Sequence, residues 1–508
     1  MDKVKAGSWD AQWAMPLANA ELSLKGLLGD STGIIHTDDD GFISLVYESK
    51  HLIQLQANEY LQLDDISSSE SIDFDLPLIP DGVIVELPPI NMMIPLEVAG
   101  KRIDSLLLNS GQLMIELTSD LNKNAASLII EIPSLRNGSN EPLVLDFDLS
   151  NSGNASISVE KSEDLDNYKI LTIEDAGTQK LQLILKATIT GDTKPNNSPY
   201  SFAIDFQFKD LDLHSFYGYF GTETLTFQDT IELGIFNASQ YGGISFADNS
   251  LHFSLYADNS FGIPLQLNIT ESKAYHLAPP EQEVSIYFLG EGNPQTIDIL
   301  APDYSEIGQT KHTDINATTS NITNAIAISP QLISLGIEGN LNPDADPNAQ
   351  NFILEDSYFN ADFRVQMDMF GQINGFILVD TIPLTEGVPQ ELKDLELTFD
   401  IINGFPLEAS LELTFLDSTN SSWYTVGGEE ELFVEGAVVS GAPDYRVIED
   451  AHKLSSLAFG DSIVGNLSTF RNLVIRSKLS TTNGDLIKVY NDYKIKVRVG
   501  AKFKTSVN

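Results

Sequence analysis

The chain contains no cysteine in its 508 residues, which excludes disulfides, thiolate metal sites and cysteine nucleophiles. Histidine is scarce: His36, His51, His214, His252, His276, His312 and His452 are dispersed, and no two have the His-x-x-x-His spacing of a zinc helix. Tryptophan occurs only at Trp9, Trp13 and Trp423. Basic residues are few, with 29 Lys and Arg against 73 Asp and Glu, for a formal net charge of −44. Such a field repels nucleic-acid phosphates and excludes DNA and RNA as general partners. A dense carboxylate surface also stays hydrated in salty or crowded surroundings. No apolar run reaches the roughly 18 residues of a transmembrane helix. The opening MDKVKAGSWDAQWAMPL lacks the apolar core of a secretory leader, so neither feature is expected in this chain. Acidic strand faces, and an end (KFKTSVN) without a terminal aromatic residue, favour a soluble β protein over an outer-membrane barrel.

What is present is a strand-rich, well-cored sequence. Hydrophobic content is 42 %, with 26 Phe and 16 Tyr, ample for packed cores. The length exceeds the roughly 250–300 residues that one core serves, so several domains are expected. One phrase recurs: an alternating strand, an Asn-led turn, then Pro-Leu opening a second strand. It spans Leu128 to Leu145, Leu251 to Ile269 and Leu395 to Leu413, pivoting on Asn137, Asn259 and Asn403 and restarting after Pro142, Pro264 and Pro406. Asn tolerates the left-handed region of a tight turn, and Pro is tolerated where a strand begins. Recurrence at this scale predicts tandem units.

Other local signals agree. Hairpins are expected for Ile103–Leu108 with Leu113–Leu117 across Asn109-Ser110-Gly111, and for Ile170–Ile173 with Leu181–Ile189. The Asn483-Gly484 pair predicts a third, joining Ser477–Thr482 to Leu486–Tyr490. Asp38-Asp39-Asp40-Gly41 reads as a hairpin turn. Helices are short, at Ser320–Ala327 (capped by Ser320) and Gly465–Leu473. The expected class is all-β: tandem antiparallel Ig-like sandwiches in an elongated chain with few short helices. Boundaries are expected around 1–75 (an N-terminal strand region), 76–214, 215–342 and 343–508. Thr193–Ser198 and Asn342–Asn351 have the composition of connectors.

The strand–Asn–turn–strand phrase resembles the core of the late-embryogenesis-abundant type 2, or water-stress-hypersensitivity, β-sandwich. The wider layout is similar to cell-surface proteins of Bacteroidota, through WDAQWAMPLANAELSLKGLL, DGFISLVYES (Asp40–Ser49), SFYGYFGTETL (Ser215–Leu225) and VYNDYKIKVRVGAKF. That resemblance implies export, and lipid anchoring through a cysteine upstream of the present start. It also lends meaning to the triplets Asp104-Ser105-Leu106, Asp229-Thr230-Ile231, Asp380-Thr381-Ile382 and Asp461-Ser462-Ile463, which are similar to O-glycan acceptors of exported Bacteroidota proteins.

Catalytic constellations mostly fail. Gly460-Asp461-Ser462 and Gly29-Asp30-Ser31 are similar to the nucleophile block of lipase-like hydrolases. However, no histidine follows Ser462 and no Asp-x-x-His follows Ser31, so both read as turns. Glycosidase carboxylates give no motif, because 73 acidic residues make any one pair uninformative. One metal candidate stands: Asp344, Asp346, Asn348 and Glu355 occupy places one, three, five and twelve of an EF-hand-like calcium loop, although Ala349 replaces the usual Gly and Pro347 stiffens it. Phe216, Tyr217, Tyr219 and Phe220 could form a sugar platform, but strand alternation assigns one pair to a core.

Charge distribution is the sharper clue. From Arg471 onward there are nine basic residues and two acidic ones, leaving 20 basic against 71 acidic elsewhere. Lys494, Lys496 and Arg498 alternate with Ile495, Val497 and Val499, which places the charges on one strand face. Together with Lys502 they would either guard an edge strand against aggregation or dock an acidic partner, anionic lipid or a neighbouring copy. The functional expectation is a non-enzymatic scaffold or accessory subunit of an envelope complex at the cell surface or periplasmic face of the outer membrane. A glycan- or ligand-binding protein, assisted by calcium, is the alternative.

Overall fold

The computed structural model describes residues 9–24, 34–61, 63–96, 100–121, 126–150, 156–191, 199–236, 243–384, 393–428, 431–459 and 470–507. The expected turns at Gly29–Ser31 and Gly460–Ser462, the Thr193–Ser198 connector and the Asp461-Ser462-Ile463 triplet lie outside them, as does all but the end of the Gly465–Leu473 segment. The fold is all-β, and among the described residues every strand pair is antiparallel.

The N-terminal segment contributes two long strands, β1 (Trp9–Ser23) and β2 (Ile43–Gln56). A 12-stranded sheet follows, built chiefly from β3 (Ile66–Phe74), β4 (Arg102–Ser119), β5 (Ala126–Arg136), β6 (Pro142–Asp148), β7 (Ile173–Asp175), β8 (Thr178–Thr190) and β9 (Tyr200–Tyr219). Next come β10 (Glu223–Glu232), β11 (Leu251–Asn259), β12 (Leu265–His276), β13 (Thr296–Ile299), β14 (Lys311–Asn316), β15 (Leu332–Leu341), β16 (Asn351–Leu354) and β17 (Tyr358–Asp368). The last group is β18 (Phe370–Pro383), β19 (Lys393–Asn403), β20 (Glu408–Asp417), β21 (Phe433–Val434), β22 (Ala451–Phe459), β23 (Phe470–Ser480) and β24 (Lys494–Val507).

The last two groups repeat one topology. In the first, the sheet orders are β10–β15–β12 with β13 on β12, and β2–β17–β11–β14; in the second they are β18–β23–β20 with β21 on β20, and β1–β24–β19–β22. Each two-sheet unit therefore takes one strand from the far N-terminus: β2 completes the first and β1 completes the second. Strand pairing thus crosses the boundaries expected at residues 75, 214 and 342, because β1 and β2 pair with β24 and β17, and β16 adds to β9 of the 12-stranded sheet.

The Asn phrase is the hinge of this repeat. Asn259 and Asn403 are 1 % and 0 % exposed, and each carries the chain from one sheet to the other. The Asn403 Oδ1 accepts from Phe405 N at 3.0 Å, while Nδ2 donates to Leu407 O at 2.7 Å and Glu435 O at 2.8 Å. Asn259 does the same with Phe261 N (3.0 Å), Ile263 O (3.4 Å) and Leu300 O (3.2 Å). Buried backbone groups need partners, and one carboxamide supplies three. Asn137 differs: it turns an exposed hairpin between β5 and β6, its Oδ1 accepting from Ser139 N and Glu141 N.

Four local expectations are corrected. Asn109-Ser110-Gly111 is not a hairpin turn; it lies within the continuous β4, where pairing with β9 shifts register. A Cβ at Gly111 would stand 2.8 Å from Leu211, so the small residue lets the two strands bend together. Asn483 and Gly484 do turn the chain, with φ of 51° and 74°, but residues 487–488 pair with β18 instead of returning to β23. The residues 470–473, expected at the end of a helix, begin β23. The hairpin expected between Ile170–Ile173 and Leu181–Ile189 is displaced: Ile173–Asp175 (β7) pairs with Thr178–Lys180 at the start of β8, whereas Ile170 pairs with β4 and β5, and Leu181–Ile189 pairs with β5 and with residues 85–94. Two further expectations hold: Asp38 Oδ1 caps the Gly41 turn, and Ser320 Oγ accepts from Ile322 N at the start of a short helix, Ile322–Ala327. Among the described residues no helix is long and apolar enough to cross a membrane.

Candidate functional site

β24 is not an edge strand. It runs between β1 and β19 at the centre of a four-stranded sheet, so the edge-guard reading of its lysines is overturned. Alternation sends Ile495, Val497, Val499, Ala501 and Phe503 into the core and the basic residues to the outer face.

Much of that positive charge is compensated by the neighbouring strands. Lys494 bonds Glu21 on β1 at 2.9 Å, Arg498 approaches Asp400 on β19 at 3.4 Å, and Lys504 bonds Asp394 at 2.9 Å. His452 of β22 reaches the same Asp400 at 2.6 Å. The hydrogen bond from Lys494, with the charges of Lys494 and Lys496, holds the Glu21 carboxyl below its usual range. These pairs are exposed and individually contribute little. Collectively they make this face nearly charge-balanced, whereas the chain as a whole is strongly negative. Lys502 is exposed and forms no ion pair among the described residues.

At the centre of the face the missing side chain of Gly500 leaves a shallow depression of about 460 Å³, bordered by Ala14 and Pro16, Thr398, Leu454, and Arg498 with Lys502. A Cβ at Gly500 would lie 2.9 Å from Thr398 Oγ1, so the floor is tightly packed. Leu454 is 71 % exposed on the far wall. The result is an open, largely apolar pan whose rim carries Arg498 paired with Asp400, and the exposed Lys502.

The calcium candidates do not converge as a shell. Asn348 donates through N (2.9 Å) and Nδ2 (3.1 Å) to Asp346 Oδ1, and Glu355 is paired with His214 at 2.7 Å. Among the described residues no three His, Asp or Glu side chains group as a metal site. We expect the melting temperature to be the same with millimolar calcium or with chelator, measured calorimetrically; a calcium-dependent rise of several degrees would reinstate the loop as a site.

The aromatic run is structural. Phe216, Tyr219 and Phe220 are buried, and Tyr217 packs on Tyr304 at 6.0 Å. Phe220 and Phe261 both contact Tyr60, which burial pushes up to about 12. Of the acceptor-like triplets, Asp104 is ion-paired to Arg102 and Asp229 accepts from Ser49, while Asp380 caps Thr381 N. Sequence reasoning missed Gly500 and the buried pair Asn342–Asn351, whose amides bond each other at 2.9 and 3.1 Å; neither has a local signature.

No protein-family model matches the chain, so the late-embryogenesis-abundant type 2 resemblance rests on the turn phrase alone. No curated protein matches it either. Among solved structures, a candidate secreted protein from Parabacteroides distasonis is 10% identical over 57% of this chain and 89% of that one, with a TM-score of 0.30. The infectious bursal disease virus Gx strain structure is 10% identical over 95% of this chain and 85% of that one, at 0.14. A tandem CBM22 domain of Paenibacillus barcinonensis Xyn10C is 10% identical over 63% and 98%, at 0.13. At such scores none bears on what this chain does.

Proposed function

We propose that the chain is a non-enzymatic scaffold or accessory subunit of a bacterial envelope complex, acting outside the cytoplasm. It docks to an envelope protein through the outer face of the β1–β24–β19–β22 sheet. The observation that carries this reading is the charge-balanced face around Gly500 in a molecule of net charge −44. Elsewhere like-charge repulsion opposes the approach of another acidic protein, whereas here an apolar side chain can seat in the pan and a carboxylate can meet Lys502. Cross-linking in the native envelope should recover a stoichiometric partner. Leu454→Asp combined with Lys502→Glu should abolish that recovery without lowering the melting temperature, since both side chains are exposed. Recovery of the protein alone, or undiminished capture by the double variant, would refute the docking face.

A further inference from the structure

A second concavity lies away from this face, where the β7–β8 hairpin of the 12-stranded sheet meets the loop joining β15 to β16. Its volume is about 870 Å³, within the roughly 300–1,000 Å³ range of small-ligand sites, and it is lined mainly by polar residues. From this cleft we infer a binding site for a neutral oligosaccharide, separate from the protein-docking face.

The lining is fixed in place from below. Arg102 makes a two-point contact with Asp104 (Nε to Oδ1 2.9 Å, Nη2 to Oδ2 2.9 Å). The same guanidinium donates to the carbonyls of Pro347 and Ala349, pinning the loop against the sheet. A planar five-donor group committed in this way acts as a rigid strut. Around it stand groups with capacity to spare. Gln179 meets the Thr172 hydroxyl with one end of its carboxamide at 2.7 Å, which leaves the other end for a ligand. Asn348 spends its Nδ2 and backbone N–H on Asp346, which leaves its Oδ1 as an acceptor. Thr178 offers a hydroxyl, and Glu174 is exposed with acceptor oxygens only. Lys101 also borders the cleft, but its ammonium is seated over the Phe220 ring at 3.9 Å.

This inventory selects the ligand class. The lining offers both donors and acceptors, which suits hydroxyl groups that do both. The lining carries two cations, Lys101 and Arg102, and two carboxylates, Asp104 and Glu174, so it has no net charge, and in a chain of net −44 an anionic ligand is repelled. A bare cation would find Glu174 but not the further carboxylates it needs. A short neutral saccharide satisfies both kinds of group and has the size of the cleft. The span from β7–β8 to the β15–β16 loop would let it bridge two parts of the chain.

The test is isothermal titration of the full chain with neutral gluco-, manno-, xylo- and galacto-configured oligosaccharides, alongside uronate oligomers. At least one neutral oligomer should bind in the micromolar to millimolar range. Glu174→Gln and Gln179→Leu should each weaken it at least about tenfold, the effect of leaving a ligand group unpaired, with unchanged melting temperature. Lys502→Glu should bind as the parent does, which keeps this result separate from the fate of the docking face. Absence of neutral binding at millimolar concentration, binding of uronate oligomers only, or full affinity in both cleft variants would overturn the proposal.

Discussion

Replacing Asn403 by alanine should destabilise the C-terminal two-sheet unit by about 3–9 kcal/mol, measured by chemical denaturation. The side chain is fully buried and holds Phe405 N, Leu407 O and Glu435 O at the crossover between sheets. Alanine leaves all three backbone groups dry, and each unsatisfied buried group costs about 1–3 kcal/mol. Aspartate is no remedy, since it keeps only the acceptor and buries a charge. Asn259→Ala should follow the same rule with a smaller loss, because its Nδ2 bonds are longer at 3.4 and 3.2 Å. Asn137→Ala, in an exposed hairpin, should cost less than about 1 kcal/mol, in line with ordinary surface changes. The Asn259 and Asn403 effects should add, since the residues sit in separate units without shared partners. Equal losses at all three positions would show that the crossover role is misassigned.

The three Asn positions also mark how far the sequence could be read. The phrase is local, so its recurrence, the strand directions and the all-β class were legible. What differs between Asn137 and the other two is whether the second strand returns to the first or crosses to a facing sheet. That depends on Phe261 and Phe405 being buried at the corner, which is a tertiary fact. Alternation on β24 correctly separated Lys494, Lys496 and Arg498 from the core, but period two reports faces and is silent on lateral neighbours. The strand's central position, and the carboxylates Glu21 and Asp400 that meet its cations, come from segments far away in sequence. The same blindness hid the pan, because a glycine in a strand signals a close approach without naming what approaches.

Removing residues 1–24 should unfold the C-terminal unit or drive the protein into aggregates. β1 pairs with β24 from Trp9–Val507 to Ser23–Lys494, the widest separation among the described strand pairs, and Leu17, Ala20 and Leu22 of β1 are buried, as is Leu24 just after it. Burying one leucine contributes about 1.5–3 kcal/mol, so the three leucines alone supply roughly 5–9 kcal/mol. Whole domains are stable by only about 5–15 kcal/mol, so the loss consumes most of the margin. The truncation would also turn β24 into a long, unpaired edge, with Val497, Val499 and Phe503 beneath it partly uncovered. Because the charges on β24 face outward, the lysines would blunt that edge but could not cover its apolar side. A synthetic peptide of residues 9–23 added during refolding should restore the lost thermal transition, since the truncated chain still carries β24, the strand with which β1 pairs. The equivalent strand β2 belongs to the other unit, so the transition of that unit should survive the β1 deletion. Calorimetry reads both outcomes at once. A truncated chain that stays monomeric with both transitions within about 2 °C of the parent, a shift worth well under 1 kcal/mol, would mean that β1 is an accessory strand and that the unit is complete without its N-terminal contribution.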